Sequence, residues 1–535
     1  MRRRDALKLG LAALATPHAL PARAQGTTSS GGGKRLTIGT SGAFTSLDPH
    51  YHRLTPNNLV ADHLFDTLVI MDETVKPTPG LALSWTPINE LLWELKLRPG
   101  VTFHDGTPFT ADDVVFTFER IPKVLNSPAS FTDATKPISR MEVVDPLTLR
   151  LHTAAPVPLM PLNLGAPRIV SRKHGEGMVT SDYNSGKAAV GTGPYKLGSV
   201  LLGDRITFVR NENYWGPKPA WETVNWRLIA NGAARTAALQ SGDVDVIDQV
   251  ATRDVATLKA NPKLQVVSAP GNRLIYLYLD VGREQTPFAF DLAGKPLPKN
   301  PLLDRRVRRA LSLAINRDGL RTQIMDGASL VAGQLNPPGA SGTDPALQPD
   351  PYDVAGARKL LAEAGFPQGF QLTLHGPNDR YVNDRQLVEA IAQMFTRVGV
   401  KTTVQTMPSS MFFAAGGRDE FTMSLIGWAP DNGDGSSALV QIVASSNPEK
   451  GRGAIFKASR YGNPRTDEII EKALATFDVA EREKLYAEAV RLGTEDYAYI
   501  PLHFQLNIAA MRQGINLRPR LQEGVRAMEV EAVSS

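Results

Sequence analysis

Two short stretches alternate apolar and polar residues, Arg35-Leu36-Thr37-Ile38-Gly39 and Trp93-Glu94-Leu95-Lys96-Leu97. A period of two puts one face in a core and the other in water, which predicts half-buried strands. Leu274-Ile275-Tyr276-Leu277-Tyr278-Leu279 is nearly continuously apolar and predicts a strand covered on both faces. Val400–Gln405 and Phe421–Trp428 predict two further strands. Helical spacing appears at Val307, Ala310, Leu311 and Ala314, behind Asp304 as N-cap. It recurs at Leu387, Ile391, Met394, Phe395 and Val398, with Gly399 as the left-handed stop. Glu481–Leu492 predicts a long amphipathic helix. Val101-Thr102-Phe103-His104 leads into the turn dipeptide Asp105-Gly106. Thr110 and Asp113 then form a capping box ahead of Val114, Val115 and Phe118. The elements alternate irregularly, without an internal repeat. The chain is mixed α/β.

At 535 residues the chain exceeds the ~100–200 of a single ordinary domain, so more than one core is expected. Hydrophobic residues at 42% and charged residues at 21% exclude wholesale disorder and fibrous classes. No uninterrupted apolar run reaches the ~18 residues of a membrane helix. Cysteine is absent, which excludes disulfides, thiolate metal sites, a cysteine nucleophile and a lipid-bearing N-terminal cysteine.

The formal charge of +5 is concentrated at the start of the chain. Residues 1–24 hold five of the 59 basic residues and one of the 54 acidic ones, leaving 54 against 53 elsewhere. So neutral a remainder gives no electrostatic footing for nucleic acid. The basic Arg2–Arg4, the apolar Leu7–Ala15 and the small-x-small Ala22-Arg23-Ala24 read as an export signal over 1–24. Arg3-Arg4-Asp5-Ala6-Leu7-Lys8 resembles a twin-arginine motif, with Ala6 where a bulky apolar residue is usual. Residues 25–33, with Gly26–Gly33, read as a flexible linker. A soluble periplasmic protein without a lipid anchor is expected.

The run Trp93–Val114 (WELKLRPGVTFHDGTPFTADDV) resembles the signature of family 5 extracellular solute-binding proteins, the peptide- and nickel-binding receptors of ABC importers. Leu47-Asp48-Pro49, Gly191-Thr192-Gly193-Pro194-Tyr195, Asn211–Gly216, Ala238–Asp245 and Arg308–Arg317 match it in order along the chain. The resemblance implies a two-lobed periplasmic binding protein fold of class II type with an additional third domain. Lobe one would take 34–70, 188–272 and 500–535, the extra domain 71–187, and lobe two 273–499. The crossovers would lie near Arg273–Asp280 and Ile500–His503.

Gly427-Trp428-Ala429-Pro430-Asp431-Asn432-Gly433-Asp434 resembles the dipeptide-binding branch, where an aspartate three residues after the tryptophan takes the peptide ammonium. That position is Asp431. The resemblance likewise implies that Arg380 grips the peptide carboxylate and that Trp428 walls a side-chain pocket. Two departures stand out: Arg380-Tyr381-Val382 in place of Arg-Pro-Tyr, and Asp434-Gly435-Ser436 in place of Asp-Pro-Asp. Plainer readings stand beside each residue. Asp431 and Asp434 suit an ordinary turn, Arg380 suits a surface pair with Asp379 or Asp384, and Trp428 suits a core.

The implied activity is capture of short peptides between the lobes and delivery to a membrane permease. A separate ATPase would power it, since no phosphate loop occurs. Glutathione, an oligopeptide and a nickel chelate are alternative ligands, and an exported hydrolase is a remote alternative. His50 and His52 alternate, with His63 further on, but they read as hydrogen-bonded or solvated residues rather than a metal site. No cofactor is expected, and the protein is expected to be a monomer.

Overall fold

Leu36 and Ile38 are fully buried on strand Arg35–Thr40, so the alternation at the start of the chain does place one face in a core. The computed structural model describes residues 34–73, 75–430, 433–447, 452, 460–518 and 520–533. The expected export signal and linker lie outside the described residues.

Strand Arg35–Thr40 lies between the parallel strands Thr223–Leu228 and Val246–Ile247. Antiparallel Arg205–Arg210 and Tyr195–Leu201 extend this end of a 12-stranded sheet. At the other end Phe370–Pro377 runs parallel to both Val400–Met407 and Met423–Trp428. Two long antiparallel strands join the ends, Leu264–Leu279 and Tyr499–Arg512. The first pairs with Met423–Trp428 and the second with Val246–Ile247, so together they carry the chain from one half of the sheet to the other.

The apolar run Leu274–Leu279 now has a physical account. Ile275, Leu277 and Leu279 enter one core with Phe370 and Phe395, while Leu274, Tyr276 and Tyr278 enter a second with Phe412 and Tyr486. A strand packed on both faces has no polar face to show. The first half of the sheet holds its own core around Phe208, Trp226 and Tyr195.

A separate four-stranded antiparallel sheet, Ala82–Asn89, Leu92–Leu97, Ile138–Asp145 and Thr148–Thr153, packs Trp93, Leu95 and Leu97 against Val114 and Phe118. The helix carrying those last two, Ala111–Arg120, starts where expected, and Thr110 N–H donates to Asp113 Oδ2 at 3.0 Å. Gly106 in the preceding turn has φ +85°, which glycine adopts without steric cost. Asp304 caps Arg305–Leu313, and Gly399 at φ +102° ends Asp384–Arg397. The last long helix runs Val479–Glu495, earlier and longer than its apolar pattern suggested. Asp478 accounts for the early start by accepting the Glu481 N–H at 2.8 Å.

Candidate functional site

The ladder between the two long strands is broken where the halves of the sheet meet. Pro270 pairs with Leu506 and the next partners are Leu274 and Phe504, so Gly271-Asn272-Arg273 bulges out opposite Gln505. Pro270 has no N–H to offer a ladder. At Gly271 a side chain is excluded, because a Cβ would lie 2.6 Å from the Gln505 carbonyl oxygen. Bulges of this kind re-aim side chains. Here Asn272 Nδ2 donates to the Pro430 carbonyl at 2.8 Å, and the Arg273 fork grips Glu523 at 2.6 and 3.1 Å.

A cavity of about 230 Å³ opens beside the bulge, lined among others by Arg273, Arg380, Tyr381, Gln505, Asn507 and Glu523. Four arginines reach it, and three are held by glutamates. Arg273 pairs with Glu523, Arg518 with Glu531 and Arg520 with Glu529. The fourth, Arg380, is exposed, and its guanidinium has no hydrogen bond or ion pair among the described residues. It lies 5.3 Å from the Tyr381 ring centroid. Burial pushes the Glu523 carboxyl up, but the charge and hydrogen bonds of Arg273, with the charge of Arg380 behind them, hold it below its usual range.

Arg380 sits in the loop between strand Phe370–Pro377 and helix Asp384–Arg397. Its backbone is fixed while its side chain is not. Buried Asp384 accepts the N–H groups of Arg380 and Tyr381 at 2.9 and 3.0 Å, and Asp379 accepts the Ser409 N–H at 2.7 Å. Both neighbouring carboxylates are thus occupied by backbone, and neither pairs with the guanidinium.

Asp431 lies outside the described residues. On the near side of it Pro430 is held by Asn272, and beyond it Gly433 packs too close to Val75 for any side chain. A Cβ on Gly433 would meet Val75 Cβ at 2.4 Å, and Val75 itself holds φ 64°, a costly conformation for a β-branched residue. Trp428 pairs with Leu274 at the end of its strand and packs against the core that contains Tyr276 and Phe412. It is not among the residues that line the cavity.

Sequence reading passed over the segment Arg518–Val525, which supplies Glu523, and the bulge that aims Arg273. The cluster of charges at Arg518, Arg520 and Glu523 was the available signal. His50 and His63 have structural partners. His50 Nε2 meets the Arg168 carbonyl at 2.7 Å, and His63 Nδ1 meets that of Leu59 at 2.7 Å. Among the described residues no three His, Asp or Glu gather as a metal site.

A family model for bacterial extracellular solute-binding proteins, family 5 Middle, matches residues 76–450. The chain belongs to this family. Its members are solute-binding receptors. The chain is similar to the glutathione-binding protein GsiB of Escherichia coli O1:K1 / APEC, 28% identical over 484 residues, 89% of this chain and 90% of the relative. Its structure is similar to the ABC transporter-associated periplasmic binding protein DppA from Helicobacter pylori in complex with peptide STSA. That likeness has a TM-score of 0.76 at 23% identity and covers 94% of this chain and 98% of the other. The oligopeptide-binding protein AppA from Bacillus subtilis, in complex with a nonapeptide, gives 0.74 at 20%, covering 94% and 99%. The fold is that of the two-lobed periplasmic binding proteins, and the two long strands link the two halves of its large sheet.

Proposed function

We propose that this family 5 member is the capture receptor of an ABC importer for short peptides, with Arg380 taking the peptide carboxylate and Asp431 its ammonium. The observation that carries this reading is the Arg380 guanidinium, unpaired among the described residues, in a cavity whose other arginines are all neutralised. A planar fork with no internal partner suits a two-oxygen anion, and charge-assisted bonds are about twice as strong as neutral ones. The likeness to a glutathione-binding protein brings glutathione, itself a peptide acid, into the same ligand class.

Lobe one is assigned 34–70, 188–272 and 500–535, the extra domain 71–187 and lobe two 273–499. The sheet order supports this division, since the four-stranded sheet falls wholly within 82–153. Ligand binding draws the lobes together by favouring the closed state. The closed monomer then delivers its cargo in the periplasm to a permease driven by a separate ATPase. Export uses the signal over residues 1–24.

The test is calorimetry with trialanine and its C-terminal amide. Amidation weakens binding to the wild type by about 2–5 kcal/mol, the range for breaking a buried charge pair. It has little further effect on Arg380→Ala, and Arg380→Lys restores only part of the affinity because one ammonium lacks the fork. N-acetylation behaves in the same way with Asp431→Asn. Losses that simply add in either cycle overturn that assignment.

A further inference from the structure

Gln505 stands on the second long strand, opposite the Gly271–Arg273 bulge on one side and opposite Ser329 of strand Ser329–Val331 on the other. It lines the cavity that holds Arg380 and is 6% exposed. Its carboxamide makes no hydrogen bond among the described residues, and its Nε2 is fully buried without a partner. Ser329 Oγ, directly across the ladder, is buried and equally unpartnered. Asn507, two residues along on the same face, by contrast has its donors used: its Nδ2 donates to the carbonyls of Arg520 and Leu521 at 3.0 and 2.9 Å. Of the two cavity-lining amides on this strand, Asn507 thus spends its donors bracing the protein, whereas the Gln505 carboxamide has no partner among the described residues.

Buried polar groups nearly always find partners, and an unmet pair of donors is costly. A primary carboxamide presents donors and acceptors in one plane, the complement of a peptide unit with its C=O and N–H. The same cavity offers a free guanidinium for a carboxylate. An amino acid fills only the second requirement. An acid carrying an amide fills both.

We propose that Gln505 reads a backbone amide of the bound ligand and so selects amide-bearing acids. This rests on Arg380 as the carboxylate site. The test measures binding of trialanine, and of two analogues in which each amide in turn is replaced by an ester, to wild type, Gln505→Leu and Gln505→Glu. In the wild type one of the esters binds about tenfold more weakly than trialanine, the worth of one hydrogen bond. Gln505→Leu loses that preference, and its unliganded melting temperature is unchanged or higher because an unmet buried amide has been removed. Gln505→Glu, which keeps the acceptor and loses the donors, binds trialanine more weakly still. Esters bound as well as trialanine, or an ester penalty that persists in Gln505→Leu, overturn the role of Gln505 and leave the peptide reading standing. A wild type that binds neither trialanine nor glutathione overturns the peptide reading and this one together.

Discussion

Thr252 Oγ1 donates to Asp326 Oδ2 at 2.8 Å and accepts from Asn383 Nδ2 at 3.1 Å. Thr252 follows strand Val246–Ile247 of the first half-sheet, whereas Asp326 and Asn383 lie among elements that pack on the second. One hydroxyl thus ties the two halves across the rim of the cavity. Asp326 and Asn383 hold φ at 49° and 54°, and Gln249, which lines the cavity, holds 42°. Three of these uncommon non-glycine conformations gather at one rim.

Thr252→Val keeps the shape of the side chain and removes both bonds. The affinity for a peptide ligand falls by about 1–3 kcal/mol, since one bond goes to a carboxylate. The loss lies in faster dissociation with the association rate little changed, as stopped-flow tryptophan fluorescence reads directly. A variant that releases peptide as slowly as the wild type would show that the bond does not hold the lobes together.

Asp48 and Arg120 form a buried bidentate pair, at 2.9 and 2.7 Å, with side chains 0% and 8% exposed. Burial pushes the Asp48 carboxyl up, but the hydrogen bonds and charge of Arg120 outweigh it and hold it below its usual range. Thr180 Oγ1 adds a third bond to Asp48 at 2.8 Å. Arg120→Leu strands this carboxylate and destabilises the protein by about 3–5 kcal/mol in urea unfolding. Arg385→Ala, which breaks the exposed pair with Glu389, changes stability by less than about 0.5 kcal/mol. Equal effects from the two substitutions would contradict this account.

The elements were legible wherever one local rule decided them. The alternation at Leu36 and Ile38, the Asp304 cap and the Gly399 stop each depend on residues within a turn or two of one another. Arg380 was legible as a position between a strand and a helix. The freedom of its side chain was not. That depends on Asp384 and Asp379 turning to backbone N–H groups, and on Glu523 reaching Arg273 from a distant segment while Glu529 and Glu531 pair with the nearby Arg520 and Arg518. The Gly271–Arg273 bulge was hidden for a related reason: its cause is a mismatch in advance between strands some 230 residues apart, visible only once they pair.

Acid should weaken the fold through His503. This residue lies on the second long strand opposite Ile275 and Val331, is 2% exposed, and its Nε2 has no partner among the described residues. Burial alone pushes its pKa down from 6.5 to about 4. The folded protein therefore keeps His503 neutral to about pH 4, while the unfolded chain takes up the proton near its ordinary value of about 6.5. Between those limits the unfolded state binds more protons, so stability rises with pH. The contribution is complete above the unfolded value and is lost as pH falls from 6.5 toward 4. His50, His63 and His104, each also held at about 4, act in the same direction. Buried Asp66 and Asp248, whose carboxyls are raised chiefly by burial, act in the opposite direction above their ordinary value of about 3.9. The whole-protein curve mixes these effects, and the difference between wild type and His503→Leu isolates one. Over this window the variant loses up to about 1.4 kcal/mol per pH unit of slope. Urea unfolding in steps from about pH 4 to 8 measures both curves, and parallel curves would mean that His503 remains neutral in both states.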